Sequence, residues 1–130
     1  MVEINNRTDY ELPIDELKSS AERVLAERGS DETLSVAFLS TKEMTKLNEH
    51  YRKKKGPTDV LSFEADSPLL GEILICPRVV ENNARKAGLS FEEELRKVLI
   101  HGILHLFGYD HRNDTEKKEM KRLEKKYLSG

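Results

Sequence analysis

Eight apolar residues fall between positions 95 and 107: Leu95, Val98, Leu99, Ile100, Ile103, Leu104, Leu106 and Phe107. At the helical repeat they surround the axis instead of lining one stripe, so a helix here must be enclosed by protein. Ser90 followed by Glu93 is a capping-box pattern that starts such a helix, and Gly108 stops it. The rest of the chain has to supply the wrapping.

The wrapping is legible as alternating elements. Val2 to Asn5 reads as a short edge strand. Pro13 opens a helix whose buried face is Ile14, Leu17, Ala21, Val24 and Leu25, closed by Gly29. Leu34 to Leu39 is a strand. Ser40 with Glu43 is a second capping box, starting a helix from Thr41 to Tyr51 with Met44, Leu47 and Tyr51 on one side. Arg52 to Asp59 (RKKKGPTD) is a loop, because a basic run meets a Gly-Pro breaker. Val60 to Phe63 and Gly71 to Cys76 are strands joined by a polar turn. Pro77 to Ala87 is a helix, and Asp114 to Leu128 is a last amphipathic helix burying Met120, Leu123 and Tyr127. The order β-α-β-α-β-β-α-α-α predicts an α+β fold: a small mixed sheet of about four strands packed with about five helices. The 130 residues are read as one domain, 1–130.

Charge narrows the function classes. Net charge is −2, so the molecule is no polycation, and any attraction to nucleic acid must come from a local basic patch. A single cysteine, Cys76, excludes an intramolecular disulfide and suits a reducing compartment. The first residues, MVEINNRTDYELP, lack the apolar core of a signal peptide, and no segment reaches the ~18 apolar residues of a membrane span. The expectation is a cytoplasmic protein with no membrane partner; oligomeric state is not readable.

Three of the four histidines sit in residues 101–111, HGILHLFGYDH. His101 and His105 are four apart, which stacks both imidazoles on one helix face. Gly108 lets the chain turn back sharply, so His111 can return to the same ion. The resulting spacing, H-x3-H-x2-G-x2-H, predicts a metal site at the end of the central buried helix. Three imidazoles suit Zn2+, with another transition metal such as Ni2+ also compatible. Three protein ligands leave a position for water, as in catalytic zinc sites. A closed structural site is the competing arrangement if Cys76, His50 or a carboxylate supplies a fourth ligand. Gly102 stands where the zinc-protease pattern H-E-x-x-H carries its glutamate base, so a metalloprotease is the weaker reading. Its absent side chain provides space, either for close packing or for substrate.

The motif His101-Gly-Ile-Leu-His105-Leu-Phe-Gly108-Tyr109-Asp110-His111 resembles the signature of the YbeY family of metal-dependent endoribonucleases. Leu47-Asn-Glu-His-Tyr51-Arg52, the block Pro57-Thr-Asp-Val-Leu-Ser-Phe63, Gly71-Glu-Ile73, and Met120 with Glu124 support the resemblance in order along the chain. Glu72 and Glu64 depart from residues common in the family. The resemblance implies a single-strand-specific RNA hydrolase acting in 16S rRNA 3′-end maturation and ribosome quality control. Its partners would be an rRNA precursor and the ribosomal small subunit or its proteins. It implies zinc ligands His101, His105 and His111, and a functional arginine at Arg52.

By itself the basic run beside Arg52 is also what a solvated helix C-terminus carries. Read with the resemblance, Arg52 is a phosphate clamp, and the neighbouring lysines steer RNA. Thr58 and Asp59 are either turn residues or groups that orient a histidine. Asp110 fixes His111 or its turn. Cys76 is read as a buried apolar residue, and His50 as a surface one. A rival in another class is a ribosome-associated assembly factor whose metal chiefly holds the fold.

Overall fold

The computed structural model describes residues 1–109 and 113–129. Strands β1 (Val2–Asn6), β2 (Thr33–Phe38), β3 (Val60–Glu64) and β4 (Leu69–Ile75) form one sheet in the order β1-β2-β4-β3. β1, β2 and β4 run parallel, and β3 is antiparallel to β4 at the far edge. Helices α1 (Ile14–Glu27), α2 (Thr41–Arg52), α3 (Pro77–Ala87), α4 (Phe91–Leu106) and α5 (Asp114–Leu128) cover it. This is the α+β architecture expected, with the mixed sheet and the numbers of strands and helices that the periodicity predicts.

Strand alternation sorts the apolar residues onto two faces. Leu34, Val36, Phe38, Ile73 and Ile75 face the larger core, with α1, α3, α4 and α5. Ala37, Leu61, Leu74 and Cys76 face the other way, against Met44 and Leu47 of α2. α4 lies in the middle of the larger layer. It touches α1, α3, α5, β3 and β4, and its Leu95, Leu99, Ile103 and Leu104 are fully buried. The apolar girdle therefore has the enclosure it requires.

Both capping-box serines accept the hydrogen bond expected of them, but only one box closes. Ser90 and Glu93 bond reciprocally, at 3.1 and 3.0 Å. Ser40 accepts from the Glu43 backbone N–H at 3.2 Å, whereas the Glu43 carboxylate is 2.8 Å from Arg7 Nη2 and leaves the return bond unmade. The other Glu43 oxygen accepts from Ser40 Oγ at 3.4 Å, so the carboxylate is shared between a local and a tertiary partner. Met44, Leu47 and Tyr51 share one side of α2, Met44 fully buried and Tyr51 58% exposed at its end, packed on Phe63. Asn48 is buried as well, and its Nδ2 donates to the Gly56 carbonyl at 2.8 Å, tying the basic loop to the helix. β4 begins two residues earlier than the apolar run, and Cys76 caps α3 instead of ending the strand.

Gly71 and Gly102 are the points of closest approach between α4 and the sheet. A β-carbon at Gly71 would lie 2.5 Å from the Phe63 carbonyl oxygen and 2.9 Å from Leu106. The first contact is with backbone and cannot be relieved by a rotamer change. Gly71→Ala should therefore destabilise the fold by about 1–3 kcal/mol, the range for overpacking a close-packed core. Urea unfolding followed by circular dichroism measures this; an unchanged midpoint would show that β3 and β4 separate without cost.

Candidate active site

One stripe of α4 carries both histidines and opens onto a cleft. Glu94, Val98, His101 and His105 follow the 4-3-4 spacing of a single stripe, and all four line one cleft of about 680 Å³. The opposite wall is β3, from Val60 to Phe63, and the end of α2, with Tyr51 and Arg52. Gly102 sets the distance between the walls. A β-carbon there would sit 3.1 Å from Ser62 Oγ and 3.2 Å from Ile73, so the missing side chain serves close packing of α4 on the sheet.

The two histidines are held parallel. Their ring centroids are 6.1 Å apart, with 21° between the planes. His101 Nδ1 is 2.9 Å from Glu124 Oε1 of α5, and His105 Nδ1 donates to the Tyr109 carbonyl at 3.0 Å. A proton held on each Nδ1 places each lone pair on Nε2, the arrangement in which imidazole ligates a metal. The donor chemistry thus fits a transition-metal ion. Residue 111 lies outside the described residues, as does Asp110. Among the described residues no cluster of three His, Cys, Asp or Glu is placed to hold an ion.

Arg52 is the last residue of α2 and projects into the same cleft. It is exposed and makes no ion pair among the described residues. Lys53 stops the helix in the left-handed conformation, φ 56°, and exposed Lys54 and Lys55 follow in the loop. Tyr51 packs edge-on against Phe63, with centroids 5.2 Å apart, and against exposed His50 at 4.6 Å. Asp59 also lines the cleft, but its Oδ1 accepts from the Val60 N–H at 2.8 Å and from Thr58 Oγ1 at 3.3 Å. Those bonds are the work of a residue that starts a strand.

Cys76 is buried with Leu39, Met44 and Leu61 on the α2 face of the sheet, across from the histidines. Burial pushes its thiol up from the ordinary range, so it remains an apolar-like core residue. The Tyr109 ring is fixed from another direction: Arg28 Nη1 at the end of α1 donates to its hydroxyl at 2.9 Å.

Two further residues belong to this site. Glu124 sits among Met120, Leu123 and Tyr127, so a carboxylate inside the apolar stripe of α5 is the sequence signal for it. Glu94 is the other. It is 6% exposed, whereas its neighbours Glu92 and Glu93 are exposed; three consecutive glutamates gave no means of choosing among them.

Comparison with known proteins places the chain in a family. The family model described as Endoribonuclease YbeY matches residues 3–130. An Endoribonuclease YbeY from Thermotoga maritima is 42% identical over 117 residues, spanning 88% of this chain and 78% of its own. One from Legionella pneumophila (strain Corby) is 39% identical over 138 residues, spanning 98% and 87%. A solution structure of a Thermotoga maritima protein superposes with a TM-score of 0.75 at 39% identity, covering 99% of this chain and 87% of that one. With a family match over nearly its whole length, and relatives near 40% identity, the chain belongs to the Endoribonuclease YbeY family.

Proposed function

We propose that the cleft between α4 and β3 cleaves phosphodiester bonds in single-stranded RNA, with one zinc ion held by His101, His105 and His111. The observation that carries this reading is the convergence of an uncommitted guanidinium, Arg52, and two oriented imidazoles on one cleft. The relatives' name, Endoribonuclease, supports RNA as the substrate. Within that reading the RNA is an rRNA precursor, with action in 16S rRNA 3′-end maturation beside the ribosomal small subunit. The compartment is the cytoplasm, consistent with the lack of any membrane-spanning helix among the described residues.

Zinc bound at the histidines would supply a Lewis acid and lower the pKa of a coordinated water to about 7. The chain's own groups do the rest. Glu124 and the Tyr109 carbonyl hold the imidazoles in the ligating tautomer. Arg52 places parallel N–H donors on the phosphate and stabilises the charge that builds as the bond breaks. Lys53, Lys54 and Lys55 continue the positive potential along the emerging strand. The exposed Tyr51 ring offers a face for a nucleobase, a contact open only to an unpaired strand.

Two observations disfavour the rival readings. α4 is anchored by Leu95, Leu99, Ile103 and Leu104, all fully buried without help from either histidine. Its fold does not need a metal staple of the kind small zinc modules use. Gly102 has no side chain to act as a protease-type base, and a β-carbon there would crowd Ser62 Oγ and Ile73 at 3.1 and 3.2 Å.

Zinc-loaded protein should cut a single-stranded oligoribonucleotide, and His105→Ala purified identically should not. Equal cutting by both would mean the activity is a contaminant or lies elsewhere. Arg52→Ala should lower kcat/KM about 10²- to 10³-fold while zinc content is unchanged. Glu124→Gln should weaken zinc binding about 10- to 100-fold, read by competition with a chromophoric chelator. Unaltered affinity would remove Glu124 from the site.

A further inference from the structure

Arg28 is far from the histidine motif in sequence and touches it in space. It is the C-cap of α1, and its Nη1 donates to the Tyr109 hydroxyl, 81 residues further on, at 2.9 Å. A cation at a helix C-terminus is favoured by the helix dipole and can serve it from the solvent. Arg28 is instead partly buried, and its Nε is sealed from water with no acceptor among the described residues. An unmet buried N–H costs free energy, so capping α1 does not account for this placement. The guanidinium is held there by the Tyr109 hydroxyl, with the Tyr127 hydroxyl also near it.

Tyr109 in turn supports His105. Gly108, φ 93°, and Tyr109 close α4 in a Schellman turn. The Gly108 N–H donates to the His105 carbonyl at 3.0 Å, and the Tyr109 N–H to the Leu104 carbonyl at 3.1 Å. Those bonds fix the amide side of Tyr109. They leave its φ free, the rotation that carries the side chain and the carbonyl carbon together. A ring tethered at its hydroxyl holds φ, and with it the place of the carbonyl. That carbonyl accepts from His105 Nδ1 at 3.0 Å, on an exposed side chain where water competes for the same proton. Such a bond keeps the proton on Nδ1 only while its acceptor stays in place.

We propose that Arg28 is a positioning residue for His105: through the Tyr109 hydroxyl it holds the carbonyl that keeps the imidazole proton on Nδ1 and leaves Nε2 free to ligate. Its consequence for the metal rests on the reading of His105 as a zinc ligand. Each imidazole then has its own anchor on a separate helix. Glu124 of α5 holds His101 directly, and Arg28 of α1 holds His105 through one intermediary.

The test uses full-length protein. Tyr109→Phe removes one hydroxyl, and Arg28→Met removes the guanidinium while keeping an unbranched chain. Each should weaken zinc binding about 10-fold, the lower end for loss of a ligand's supporting hydrogen bond, read by competition with a chromophoric chelator. The double variant should lose no more than either alone, because both cut the same bond. Arg28→Lys, which keeps a charge and a donor, should regain part of the affinity. Val24→Ala, one turn earlier on the buried face of α1, controls for stability: it should lower the urea midpoint and leave zinc affinity unchanged. The His105 tautomer gives a readout without metal, from imidazole 15N shifts of zinc-free protein at about pH 8, where imidazole is neutral. Wild type should hold the proton on Nδ1, and both single variants should shift it toward Nε2. Should wild type bind no zinc while its tautomer still depends on Arg28, the zinc reading falls and the positioning of His105 stands. Affinity and tautomer unchanged in Tyr109→Phe, losses that add in the double variant, or an equal loss of affinity in Val24→Ala would each overturn the assignment.

Discussion

The approach of α4 to the sheet is the contact on which the rest of the structure depends. An apolar helix needs protein on every side, and α1, α3, α5, β3 and β4 provide it. Gly71 and Gly102 let the helix come close enough for that enclosure to be dry. The same closeness brings Glu94, His101 and His105 opposite Arg52 and Tyr51. Packing and site share one cause: the stripe of α4 that carries the two histidines faces a gap between elements.

Polar groups within such packing have to be satisfied, and the way each is satisfied indicates its role. The Glu124 carboxylate is only 15% exposed and is matched to His101, so its partial burial is offset by a hydrogen bond. The Tyr109 carbonyl takes the His105 proton while its ring is held by Arg28. Asn48 bonds to Gly56 and shapes the loop that follows Arg52. Of the carboxylates that line the cleft, Glu94 keeps a buried oxygen without a donor, with Lys97 Nζ 3.9 Å away.

Much of this was legible before any coordinates. Period-two alternation in LSVAFL and EILIC, and the 3-and-4 spacing in five helices, follow from local geometry that acts over a few residues. The Ser90–Glu93 box and the left-handed Gly88 and Gly108 are local in the same sense. The second box does not close in full, because Glu43 also pairs with Arg7, a partner distant in sequence that no capping pattern reveals.

The residue order by itself determined that a helix at 91–106 would be buried, that it would carry two imidazoles on one face, and that a basic run would end the helix before β3. Those properties need only the helical repeat and the burial preferences of side chains. Only the tertiary structure decided which wall the imidazoles face, that Glu124 from α5 orients one of them, and which of three consecutive glutamates lies in the cleft. Such choices depend on the register and distance between elements far apart in the chain. Core packing against Ser62, Ile73 and Leu106 sets them, and no local pattern encodes them.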